Sequence, residues 1–372
     1  AAVLVDVVVE SIFRTALLTF SEQHGVLPCK CSLLGLGGYG RAELNPQSDI
    51  DIMFLFPDDV KPSMVANMKT ILTDEVLYPL WDLGFKVGHS TRTIKESLDE
   101  AKSDYRTRNS LLERRLILGS TELHRRLGRA LRDRLKRSDI GSMLEHMVQM
   151  QVSRREQHGG SVFAPEPNIK NGVGGLRDYQ GVRWMVLLKY GNASTRPLYR
   201  HDHLYAKENR EFKAAYDFLL TIRNELHLIS NRATDELVLG VQPRIAQNMG
   251  YGGSPLERVE RLMKDYYFHA RNSLRIARSL EKRILAGFDE GKDGAEQRPR
   301  RFLPFWATVS KPRETDGFVI RQGRISARRP SVFDEDPERL VRVFRLIQNE
   351  GLKLTIDLER LIDARVHLLT QQ

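Results

Sequence analysis

Cysteine is nearly absent: Cys29 and Cys31 are the only two in 372 residues. One residue apart, they are badly placed to bridge each other and too few for a structural zinc site, so two ordinary thiols in a reducing compartment are expected. No apolar run is long enough to span a bilayer. The apolar start, Ala1 to Val9, lacks the basic region of a signal peptide, and its periodicity runs on into a helix (Val5, Val8, Val9, Ile12, Phe13). The abrupt start suggests a parent protein that extends further upstream, and cytoplasmic location follows as the default. Internal repeats and low-complexity tracts are missing. So is any concentrated basic arm or aromatic-basic platform for RNA, although the net charge is +10. That excess is spread over amphipathic stretches and suits polyanions in general rather than DNA in particular.

What is present is an ordinary globular balance, 41% hydrophobic and 28% charged, enough for a sizeable core. An amphipathic helix is predicted from Val5 to Gln23. Short apolar runs at Ser32–Leu36, Ile50–Phe56 and Phe85–Ser90 read as strands, with a helix over Ser63–Leu83 between the second and third. From Ile94 onward helical patterns dominate: Glu122–Lys136, Met143–Gln157, Asp178–Lys189 and Arg210–Ser230, interrupted by a glycine- and proline-containing stretch from His158 to Gly175. Ser254, Pro255 and Glu257 form a capping box ahead of a buried helix face (Val259, Leu262, Met263, Tyr266, Ala270). Gly287–Arg301 reads as a flexible loop. Phe318–Ile320 and Arg324–Ser326 read as a hairpin around Gln322-Gly323, Asp336-Pro337 as a helix cap, and Thr355 as the start of a last helix. The expected class is α+β: a small mixed sheet with helices over residues 1–140, then a largely helical domain over 141–372 with a small C-terminal hairpin.

The chemistry concentrates at GLGGYGRAELNPQSDIDIMF, residues 35–54. Asp49 and Asp51 stand two apart at the start of an apolar strand, so both carboxylates project to one side. Carboxylates that close repel unless a cation neutralises them, and magnesium favours a few carboxylates plus phosphate oxygens. Gly37 and Gly38 leave backbone amides uncovered, so a triphosphate can approach them. Arg41 supplies a cation, and Ser48 can cap the turn or touch metal-bound water. The competing explanation is a hairpin with a surface D-x-D whose glycines only turn the chain. Glycines, spacer, S-D-I-D and an apolar strand together are far more specific than D-x-D alone.

These residues resemble the signature of the DNA polymerase beta-like nucleotidyltransferase superfamily, and within it most closely the bacterial protein-PII uridylyltransferases. The likeness includes Tyr39-Gly40-Arg41 and Glu43-Leu44. It implies that Asp49 and Asp51 ligate catalytic Mg2+ or Mn2+ and that Gly37 and Gly38 border the triphosphate. A second segment, PNIKNGVGGLRD at 167–178, resembles the family's K-x-G-x-G-G-L-R-D and is followed by Tyr179-Gln180 and Arg183-Trp184. There Lys170 and Arg177 can neutralise phosphate charge, and Asp178 can cap the next helix or orient a cation. A third stretch carries Arg223, Asn224, Glu225, His227 and Arg232; Arg223 and Arg232 are candidate nucleotide contacts, and His227 reads as a satisfied helix histidine.

The pattern departs from many superfamily members at Lys86–Ser90, which lacks the third carboxylate that they place on a later strand. Asp104 and Glu113 are the open alternatives, with Asp104 expected to cap a helix and Glu113 to pair with Arg114 or Arg115. The resemblance also implies HD hydrolase and ACT domains in full-length relatives. His201-Asp202 lacks the surroundings of an HD site, and by the resemblance the chain ends close to where the HD domain would begin, so neither uridylyl-removing activity nor an ACT-type glutamine sensor is expected here. By resemblance the substrate is UTP and the acceptor a tyrosine of a PII signal protein. The alternatives are a protein adenylyltransferase of the glutamine synthetase type, a non-catalytic nucleotide-binding regulatory module and, last, a nucleic-acid nucleotidyltransferase.

Overall fold

A computed structural model describes residues 2–134, 137–191, 198, 204–293, 313–321, 323–366 and 368. Among these no helix is long and apolar enough to cross a membrane. The chain divides into two compact units, Ala1–Asp289 and Glu290–Gln372. The division anticipated near residue 140 falls inside the first.

The first unit opens with helix α1 (Ala2–His24), strand β1 (Ser32–Gly35), a single helical turn α2 (Gly37–Gly40), strand β2 (Ile50–Phe56), helix α3 (Pro62–Asp82) and strand β3 (Val87–Thr93). Helices α4 (Ile94–Ser103) and α5 (Tyr105–Leu112) lead to strand β4 (Arg115–Gly119). The sheet order is β3-β2-β1-β4, with β1 antiparallel to β2 and β4 and with β2 parallel to β3. Parallel pairing requires a crossover, and α3 supplies it. Strand β4 was not anticipated: it is short, begins with arginine and is mostly half-buried, so it lacks the apolar run of β2.

Strand β2 reads as an almost continuous apolar run because both its faces are covered. Ile50, Ile52, Phe54 and Phe56 pack with Val9 and Phe13 of α1 and Met68, Leu72 and Val76 of α3. Met53 and Leu55 face the other way, onto Ile94, Leu111 and the Leu123, Leu127 and Leu131 stripe of helix α6 (Thr121–Arg134). Asp51 shares that second face by alternation and is the one exposed residue in the strand.

Helices α7 (Arg137–Gln157), α8 (Leu176–Tyr190), α9 (Ala206–Ser230), α10 (Gln242–Asn248) and α11 (Pro255–Asp293) build the rest of the unit around two further cores. The Ser254–Glu257 capping box forms as expected: Ser254 N donates to Glu257 Oε2 at 2.7 Å and Glu257 N to Ser254 Oγ at 3.4 Å. Helix α11 covers 287–293, so that part of the anticipated loop is helical; its buried face (Ile276, Leu280, Ile284) carries the packing on. The remainder of the loop, 294–301, lies outside the described residues, as do Gln322 and the His201-Asp202 pair.

The second unit holds the anticipated hairpin, β6 (Phe318–Arg321) with β7 (Arg324–Ala327), extended to four strands by β5 (Arg313–Thr315) and β8 (Lys353–Leu354). Helices α12 (Val332–Glu335), α13 (Arg339–Glu350) and α14 (Ile356–Arg365) complete it around Phe318, Ile325, Phe333 and Val343. Helix α13 starts at Arg339 with Glu338 as its cap residue; Asp336 instead accepts from Glu338 N at 3.1 Å.

Candidate active site

The turn after β1 is built around one carboxylate. Gly37 adopts φ +52°, a left-handed conformation that opens α2, and a side chain there would reach 3.3 Å from Asp51 Oδ2. Gly88 on β3 is the register partner of Asp51, and a methyl group at 88 would lie 2.5 Å from Asp51 Oδ1. Asp51 therefore sits between two positions that only glycine leaves clear. Asp49 just precedes the strand, exposed like Asp51, and both line one cleft of about 660 Å3. Gly37, Gly38, Arg41, Ser48, Lys170 and Arg177 line the same cleft, so all eight anticipated site residues meet there. Its volume falls in the range of small-molecule pockets.

The electrostatics divide the cleft. Burial and the nearby Asp49 raise the Asp51 carboxyl from its ordinary value, against Lys170 and Arg41. Asp51 is thus open to solvent on one side while protein walls it on the others. Burial and Arg223 lower the Lys170 ammonium, with Asp235 and Asp49 opposing; Lys170 Nζ stands 3.9 Å from Asp235 Oδ2. Burial and Arg41 lower Arg177, which donates to Gln180 at 2.9 Å and lies 5.2 Å over the Trp184 ring. No carboxylate among the described residues forms a salt bridge with Arg177.

Arg41 differs from a bare phosphate-binding cation. Its Nε donates to Glu43 Oε2 and its Nη1 to Glu113 Oε2, both at 2.6 Å. Burial alone would lower this guanidinium, but Glu113 and Glu43 raise it above the usual arginine range. Glu113 is therefore not the surface partner of Arg114 or Arg115: it ends α5 facing the cleft, 7% exposed, where a carboxylate needs a cation. Glu43 also accepts from Tyr216 OH at 2.7 Å and from Arg183 at 3.1 Å, which joins the glycine turn to α8 and α9. Asp104 caps α5 through Arg106 N and Thr107 N, as anticipated.

Asp178 is not an N-cap. Helix α8 starts after Gly175, and Asp178 lies in its first turn, fully buried. Its Oδ2 accepts from Gly174 N at 2.7 Å, and its Oδ1 accepts from Arg154 at 2.5 Å and Arg155 at 2.8 Å. Arg154 also donates to the carbonyls of Asn171 and Gly172, at 2.5 and 3.0 Å, and so pins the turn that carries Lys170. Arg223 reaches the cleft and binds Asp235 at 2.7 Å as well as Asn45 Oδ1. His227 is buried and accepts from Gln47 N at 3.2 Å, whereas Arg232 is exposed and does not line the cleft. Asp235 was missed: burial opposes its charge, yet His227, Arg223 and Lys170 hold its carboxyl well below the usual range. No local signal marked it: residues 201–250 hold seven acids and six lysines and arginines, so Asp235 does not stand out among them.

The family model described as GlnD PII-uridylyltransferase matches residues 142–280. Among curated proteins, the chain is 32% identical over 344 residues to a bifunctional uridylyltransferase/uridylyl-removing enzyme of Caulobacter vibrioides, covering 91% of this chain and 35% of that one. It is 31% identical over 369 residues to the enzyme of the same description from Rhodospirillum rubrum, covering 99% and 38%. The chain belongs to the GlnD PII-uridylyltransferase family, and it spans little more than a third of the length of these curated relatives.

Proposed function

We propose that this chain transfers UMP from UTP to a tyrosine hydroxyl of a PII-type signal protein, with release of pyrophosphate. The observation that carries the proposal is the meeting of Asp49 and Asp51 with Gly37, Gly38, Lys170 and Arg177 in one cleft. UTP and PII come from the names of the family and of the relatives; the cleft supports the class of reaction.

Among the described residues, no three His, Cys, Asp or Glu side chains cluster into a protein-only metal cage. Two solvent-open carboxylates still fit magnesium, which keeps several waters and takes phosphate oxygens beside one or two carboxylates. Asp49 and Asp51 would hold it, and it would supply Lewis-acid neutralisation of phosphate charge and a lowered pKa for the acceptor hydroxyl. The chain's own groups do the rest. The bare backbone at Gly37 and Gly38 admits the triphosphate. Lys170 and Arg177, the latter in no salt bridge among the described residues, stabilise charge on the departing pyrophosphate. Arg41, fixed by Glu43 and Glu113, presents its remaining edge towards Gly38. The acceptor oxygen bonds to the α-phosphorus as the bond from that phosphorus to the bridging oxygen breaks. Either carboxylate can take the hydroxyl proton.

Incubating the chain with labelled UTP, magnesium and a PII protein tests the proposal. Label on the PII tyrosine that excess ATP fails to compete away supports it. Label carried from ATP instead supports the adenylyltransferase alternative, and nucleotide binding with no transfer supports a regulatory module.

A further inference from the structure

Outside the cleft, at the seam between the start of β4 and helix α6, two arginines converge without an acid. Arg114 Nη2 and Arg132 Nη1 lie 2.3 and 3.8 Å from the point that a side chain on Gly128 would occupy. Arg114 is largely enclosed. Its Nη1 donates to the Leu111 carbonyl at 2.9 Å, and its Nε is buried without a partner. No carboxylate among the described residues lies within salt-bridge reach of Arg114 or Arg132. Burial, and then Arg132, push the Arg114 guanidinium down to about 10. His124, one turn earlier on α6, is lowered by burial and then by Arg114 and Arg125, and its Nε2 is also buried without a partner. The local field is therefore positive and uncompensated, where a buried charge ordinarily has a counter-ion.

The geometry points to an oxyanion site between Arg114 and Arg132, of a charge suited to a phosphate group. Arg114 Nε has no partner and its Nη2 lies on the side of Arg132 Nη1, and guanidinium N–H groups match phosphate oxygens. A dianion there would remove the repulsion between the two arginines. Neither residue lines the cleft that holds Asp49 and Asp51, so the site is separate from the one proposed for the triphosphate. The same chemistry is offered by free inorganic phosphate and by the phosphate of a nucleotide.

Isothermal titration of the full chain with inorganic phosphate and, separately, with AMP, both without divalent metal and at constant ionic strength, tests this. Arg132 is exposed, so Arg132→Ala keeps the fold where loss of the enclosed Arg114 endangers it. The expected result is a saturable component that Arg132→Ala weakens about tenfold or more and Lys170→Ala leaves in place. Tighter AMP than phosphate binding assigns the site to a nucleotide's phosphate, the reverse order assigns it to the free ion, and both uphold the site. No saturable component in the wild type, a component of equal strength in Arg132→Ala, or its loss in Lys170→Ala overturns it.

Discussion

Asp51 and Gly88 face each other across the parallel β2–β3 pair, with the position of a β-carbon at 88 only 2.5 Å from the Asp51 carboxylate oxygen. The site thus has no room for an additional acid beside Asp51 at 88 as the carboxylate is now oriented. Gly88→Ala should turn the Asp51 carboxylate away and lower transfer about 100-fold. Stability should change by about 1 kcal/mol or less, because β3 is an edge strand and the residue is partly open. Transfer rates beside urea unfolding of the same preparation check both halves.

Glu43 gathers Arg41, Tyr216 and Arg183. Glu43→Gln keeps the shape and removes the charge that three donors share. It should destabilise the fold by roughly 1–3 kcal/mol, with a raised KM for the nucleotide as Arg41 loses its alignment. Denaturant midpoints and steady-state kinetics provide the readout.

Asp235 gives a pH dependence of defined sign. Its carboxyl is held below the ordinary range in the fold by His227, Arg223 and Lys170, so the unfolded chain takes up the proton first as the pH falls. The stability it contributes is full above the ordinary aspartate value of about 3.9 and declines below it. The melting temperature of Asp235→Asn should therefore lie below the wild type near neutral pH, and the gap should narrow as acid is added below about pH 4. A gap that widens in acid would contradict the assignment.

Arg154→Lys tests the turn that carries Lys170. Lysine cannot reach the Asn171 and Gly172 carbonyls and the Asp178 carboxylate together as the guanidinium fork does. Amide exchange across 169–175 should speed up roughly tenfold while β2 stays protected, which hydrogen-exchange mass spectrometry resolves by segment.

The aspartates, the glycine turn and the strand that bears them were legible because the information is local: alternation along Ile50–Phe56 puts Asp51 on a face, and the glycines lie within 14 residues of it. Lys170 and Arg177 stand out in the sequence as candidate phosphate-binding cations, and their arrival in the same cleft depends on the packing of α8 against α5. Partnerships across long separations were not legible. Glu113 has cations beside it in sequence, at 114 and 115, yet its partner is Arg41, 72 residues away, because the end of α5 is folded over α2. Asp178 read as a helix cap from its place after two glycines, but the helix begins two residues sooner, and burial commits the carboxylate to Arg154 and Arg155. Strand β4 has no apolar run of its own and gains its identity from pairing with β1.

The central claim is that Asp49 and Asp51 together make the cleft a nucleotidyl-transfer site. The most direct measurement is transfer of label from UTP to a PII protein by the wild type and by Asp49→Asn/Asp51→Asn. The account predicts labelled PII with the wild type and none above background with the double variant. It also predicts a metal-free melting temperature that does not fall, since burial and Asp49 already disfavour the charged form of Asp51. A double variant that labels PII as fast as the wild type would contradict it.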